Sequence, residues 1–72
     1  MNTVKSENEW ITTYKCNGQL HREKGPAVII KTNLQHHEEK HFYYWHGELL
    51  LTEWVKNGIV YHSEEASAPR QG

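Results

Sequence analysis

Two Asn-Gly pairs, Asn17-Gly18 and Asn57-Gly58, constrain this chain more than any other feature. Glycine enters the left-handed backbone region at no steric cost, and asparagine tolerates it better than most residues. A two-residue connection of this type between β-rich arms is the strongest short-range signal of a β-hairpin. Both pairs have such arms, Tyr14-Lys15-Cys16 and Gln19-Leu20 for the first, Trp54-Val55-Lys56 and Ile59-Val60-Tyr61 for the second. His46-Gly47 sits in the same setting and reads as a third turn. No segment places apolar residues at helical spacing behind a cap. The expected fold is therefore all-β: an antiparallel meander of tight β-hairpins with five to six short strands and frayed termini.

The strands are expected at about Glu9–Cys16, Gln19–Arg22, Ala27–Thr32, His41–Trp45, Glu48–Lys56 and Ile59–His62. Lys24-Gly25-Pro26 makes a further turn, and 33–40 is a polar loop. Residues 1–8 and 63–72 are polar and read as flexible ends around one domain, 9–62. With 72 residues there is room for a single small domain. Such a domain buries roughly 60% of its unfolded surface and has a thin stability margin.

Cys16 is the single cysteine, so no intrachain disulfide forms, and a lone thiol suits a reducing compartment. Neither a leader peptide nor a membrane span is legible, and the expected location is the cytoplasm. Eight basic and nine acidic side chains give a formal net charge of −1. That balance weighs against a general nucleic-acid binder, which carries a basic excess. Aromatic and histidine content is high instead, with three Trp, four Tyr, one Phe and six His.

The chain carries a degenerate repeat. Four residues before each turn glycine (Gly18, Gly47, Gly58) stands an aromatic, Tyr14, Tyr43 or Trp54; two residues after it stands an aliphatic, Leu20, Leu49 or Val60. The stretch Asn17-Gly18-Gln19-Leu20-His21-Arg22-Glu23-Lys24-Gly25-Pro26-Ala27-Val28-Ile29 resembles the N-G-x-L-H-R-E-x-G-P-A repeat. That repeat is similar to the MORN repeat and recurs in small proteins of bacteriophages, giant viruses and some bacteria. Tyr44 to Leu49 and Glu53 to Gly58 resemble the starts of further copies, without the His-Arg-Glu and Gly-Pro-Ala parts. The resemblance implies a chain of hairpins and a viral origin. It implies no chemistry, because such repeats serve structure or interaction.

Plain two-residue turns at His46-Gly47 and Asn57-Gly58 would set Phe42 opposite Leu51 and Trp54 opposite Tyr61. One face of the C-terminal meander would then carry Phe42, Tyr44, Leu49, Leu51, Val55 and Val60. The other would carry Tyr43, Trp45, Leu50, Trp54, Ile59 and Tyr61. A solvated antiparallel sheet alternates apolar with polar, and this one does not. The aliphatic face is expected to be core. The aromatic face is expected to be covered by the N-terminal hairpin, by a second subunit in a homodimer, or by a partner, since Trp and Tyr are frequent anchors of interfaces.

Chemistry is poorly signalled. His36, His37, His41 and His46 crowd near Glu38 and Glu39, but their spacing fits no zinc signature. His21-Arg22-Glu23 reads as a tie between the hairpin and the Gly-Pro turn, with anion recognition by His21 and Arg22 as the alternative. No nucleophile stands beside a base, so no catalysis and no cofactor or metal is expected. The expectation is a non-catalytic protein-binding module of a phage or virus that engages and inhibits a host protein of undetermined identity, such as a defence system, through the aromatic face. The alternatives are a nucleotide or nucleic-acid binder using aromatic stacking, and a structural homo-oligomer.

Overall fold

The computed structural model describes residues 3–66 and is all-β. The strands are β1 (Thr3–Glu7), β2 (Ile11–Cys16), β3 (Gln19–Leu20), β4 (Val28–Asn33), β5 (Glu38–Trp45), β6 (Glu48–Lys56) and β7 (Ile59–Glu65). All pairings are antiparallel, in the open order β1-β2-β4-β5-β6-β7, with β3 beside β2.

The strands expected from the sequence are present, with one addition. Thr3–Glu7, read as part of a flexible end, is edge strand β1 and pairs along its length with β2. Asn8 makes that hairpin possible: its Oδ1 accepts from the backbone N–H groups of Trp10 (2.8 Å) and Ile11 (2.9 Å). At the other end β7 runs three residues past His62 to Glu65. The remainder of the expected tail, 67–72, lies outside the described residues, as do residues 1–2.

The three glycine turns share one geometry. Their φ pairs are 54° and 78° at Asn17-Gly18, 49° and 86° at His46-Gly47, and 53° and 79° at Asn57-Gly58. Positive φ at both central residues is the type I′ turn, whose twist matches that of the flanking strands.

The same device follows each turn. Beyond His46-Gly47, Tyr44 pairs with Leu49 and Tyr43 with Leu51, so Leu50 is an extra residue. Beyond Asn57-Gly58, Val55 pairs with Val60 and Trp54 with His62, so Tyr61 is extra. Both are β-bulges, three residues after the turn glycine. At that same position after Gly18 stands His21, where β3 ends and the chain leaves the sheet. It returns at Ala27, whose carbonyl accepts from the Tyr14 N–H at 2.7 Å, and continues beside β2 as β4. The His-Arg-Glu-Lys-Gly-Pro segment is thus an enlarged bulge in the first of three similar hairpins.

The bulges overturn the expected partition of side chains. A single extra residue moves everything beyond it to the opposite face. Phe42 pairs with Thr52 rather than Leu51, and Trp54 with His62 rather than Tyr61. One face, here the inner one, carries Thr12, Tyr14, Cys16, Ile29, His41, Tyr43, Trp45, Leu51, Glu53 and Val55. The outer face carries Ile11, Thr13, Val28, Ile30, Lys40, Phe42, Tyr44, Leu49, Thr52 and Trp54. The expected aliphatic core is split, with Phe42, Tyr44 and Leu49 outside and Leu51, Val55 and Val60 inside.

The buried side chains lie on or against the inner face. Cys16, Ala27 and Val55 are the buried apolar residues among those described, joined by Thr12 and His21. The enlarged bulge covers this face locally, and no second sheet or helix among the described residues covers the outer one.

Candidate binding surface

The enlarged bulge is held by its own motif. The Arg22 guanidinium lies over the Tyr14 ring, 3.9 Å from its centroid, and donates through Nη1 to the Pro26 carbonyl at 3.1 Å. Gly25, at φ 114°, leaves room for it; a Cβ there would come within 3.2 Å of the guanidinium. His21 is 4% exposed. Its Nδ1 accepts the backbone N–H of His46 at 3.0 Å, which places the ring proton of the neutral form on Nε2. Its ring stacks on His46 (centroids 4.2 Å apart) and tilts against Trp45 (4.4 Å). The Gly47 N–H donates to the Leu20 carbonyl at 2.8 Å. His21 therefore ties the first hairpin to the turn of the second, while Arg22 ties it to the Gly-Pro turn. His21 keeps one donor, Nε2–H, on a ring that is almost fully enclosed, and the Pro26 carbonyl takes one of the Arg22 N–H groups.

The six residues expected to share an aromatic face do not share one. Tyr43 and Trp45 lie on the inner face; Trp54 lies on the outer. Leu50 stands at its bulge, half exposed. Ile59 and Tyr61 line a shallow groove with Glu38, Lys56 and Asn57. Trp54 packs against His62 (centroids 4.7 Å apart), and Lys40 Nζ lies 5.0 Å from its ring and 5.4 Å from that of Phe42. Lys40, expected in the polar loop 33–40, lies in β5, because that strand begins at Glu38. Val60, expected in the core, faces Val55 yet is 46% exposed, since among the described residues no strand lies beyond β7.

The inner face carries a line of polar groups that hold each other. Tyr43 donates its hydroxyl proton to Glu53 Oε1 at 2.8 Å, and His41 Nε2 contacts Glu39 Oε1 at 2.8 Å. The remaining histidines of the cluster are dispersed. His36 and His37 occupy the β4–β5 turn, where the His36 N–H donates to Asn33 Oδ1, and His46 stacks on His21. No group of three or more His, Cys, Asp or Glu among the described residues is placed to hold a metal ion.

Burial pushes the Tyr43 phenol above its ordinary value of 10.0, aided by the hydrogen bond to Glu53 and its charge and opposed by Arg22. A group raised in the folded state stabilises the fold fully below its unfolded pKa. That stability is lost as pH rises through the folded value. Thermal melts are expected to show an alkaline decline above about pH 10, and Tyr43→Phe should remove the part owed to this phenol. An unchanged alkaline limb in Tyr43→Phe would show that the phenol does not titrate with unfolding.

No helix of the described chain is long and apolar enough to cross a membrane. No family model matches this chain, and neither a curated relative nor a solved structure does.

Proposed function

We propose that this chain is a non-catalytic protein-binding module that docks its partner along β7. One observation carries the reading: among the described residues no strand pairs with the outer edge of β7, and Ile59, Val60 and Tyr61 are 69%, 46% and 59% exposed on it. A free edge with consecutive apolar residues is a template for strand addition. Charge on an edge discourages pairing. On β1 the Lys5–Glu7 pair, at 3.4 Å, takes up the middle and end of a five-residue strand, whereas on β7 the His62–Glu64 contact, at 3.1 Å, leaves the Ile59–Tyr61 half apolar. A partner segment that is extended and apolar, with basic residues beside Glu64 and Glu65, complements β7. The resemblance to a repeat of phage and viral proteins makes a host protein the expected partner, and occlusion of that protein the expected effect.

A second reading, nucleobase stacking, draws on Phe42, Tyr44 and Trp54 on the outer face with Lys40 among them. It requires binding that weakens steeply with salt.

Capture from a host lysate tests the first reading. The wild-type chain should retain one protein, Val60→Lys should lose it about tenfold or more, and Lys5→Ala should keep it. Equal capture by wild type and Val60→Lys would remove β7 as the docking edge.

A further inference from the structure

We propose that a second copy of this chain covers the outer sheet face, forming a two-fold sandwich. This goes beyond the reading of β7, which stays an open edge in such a dimer.

The case begins with what the single chain leaves undone. Apolar burial among the described residues is limited to Cys16, Ala27 and Val55. A sheet buries its apolar face against a second layer, and here the layer is missing. The outer face presents Val28, Ile30, Phe42, Tyr44, Leu49 and Trp54 side by side. The Cα positions extend over 40 × 28 × 16 Å, so the broad face exceeds the area of about 800 Å² that a stable dimer takes from each partner.

The arrangement of residues then selects the occupant. Two neighbouring rows cross the outer face. The first is Thr13, Val28, Phe42, Thr52 and Glu64; the second is Ile11, Ile30, Lys40, Trp54 and His62. A two-fold axis running across the strands between these rows lays each row on the other of the partner subunit. Lys40 then meets Phe42 of the partner subunit and Val28 meets Ile30 of the partner subunit, while His62 and Glu64 already pair within one chain at 3.1 Å. Both copies make every contact, as an isologous interface requires. Lys40 already lies against aromatic rings within its own chain, and the partner's Phe42 adds a further one. Glu38 and Lys56, the other charged pair of this face, are opposite each other with 3.9 Å between Nζ and Oε2, so neither needs the partner subunit. The face thus has an aromatic and aliphatic middle around Lys40, with Lys15, Glu38, Lys56 and Glu64 toward its margins.

Sedimentation equilibrium of the full chain decides this. The wild type should sediment at twice the mass of the 8.5 kDa chain at micromolar concentration. Lys40→Glu should weaken the dimer about tenfold or more with the far-UV circular dichroism unchanged. Ile30→Glu should do the same, and Val60→Lys on the β7 edge should leave the dimer intact. A wild type that sediments as a single folded chain throughout overturns the proposal regardless of any variant. A dimer that survives both outer-face variants, or that is lost with Val60→Lys alone, overturns it as well. The lysate capture by β7 is read separately, so either surface can fail without the other.

Discussion

His21→Ala is expected to cost about 2–4 kcal/mol of stability, from the cavity it leaves and the donor it strands. The ring is almost fully enclosed, and it holds the backbone N–H of His46. Alanine removes the acceptor and leaves that N–H short of a partner beside the emptied space. It also takes away the surface on which Trp45 and His46 pack. Small domains sit near the low end of the usual 5–15 kcal/mol, so a loss of this size consumes much of the margin. Urea unfolding should show the drop in midpoint, and hydrogen exchange should show loss of protection first at the His46 and Gly47 amides. Arg22→Ala should cost less, because Arg22 is only partly covered and its stacking on Tyr14 is a surface contact. A His21→Ala midpoint within about 0.5 kcal/mol of wild type, the range of ordinary surface substitutions, would show that the ring is a passenger.

Inserting one residue between Glu53 and Trp54 is expected to be more damaging than any truncation of a side chain. Leu50 is already the extra residue between the Tyr44–Leu49 and Tyr43–Leu51 pairs. Deleting Leu50 keeps both pairs and every later one in register and removes only the bulge. An added residue at 53/54 has no such outlet. Either the residues after it move by one place, turning Val55 outward and Trp54 inward, or a new bulge interrupts β6. Val55 is one of the few buried apolar side chains, and β6 is bonded on both sides, to β5 and β7. The insertion therefore breaks two ladders at once. The expected result is a chain without a cooperative urea transition and with a collapsed amide spectrum. Inserting one residue between His62 and Ser63 disturbs only β7, which has one neighbour and no buried residue. It should leave a cooperative transition, weakened by about 1–3 kcal/mol, as is usual for a damaging change. Equal effects from the two insertions would show that the register of β6 does not hold the fold.

These two experiments bear on what a reader of the sequence can see. The turns at Asn17-Gly18, His46-Gly47 and Asn57-Gly58 were legible because they depend on the backbone freedom of two residues. The tie made by His-Arg-Glu to the Gly-Pro turn was legible in part; Arg22 makes it, and His21 reaches instead to the next hairpin. The bulges at Leu50 and Tyr61 were not legible. Nothing in Leu50 or Tyr61 differs from an ordinary strand residue, and a bulge is chosen by twist and by the packing of neighbours. Because the bulges set the parity, the expected aromatic face dissolved: Tyr43 and Trp45 went inward and Trp54 outward, while Ile59 and Tyr61 stayed near the edge groove.

By itself the sequence determined the all-β class, the places of the turns and the strands that follow them, because these rest on φ preferences and strand propensity within a few residues. The tertiary structure alone decided which side chains share a face, that Thr3–Glu7 and β7 are the two edges of the described sheet, and that His21 is buried beneath the second hairpin. Those depend on register and on which strands lie side by side, and register is a property of pairs of strands that no single stretch of residues carries.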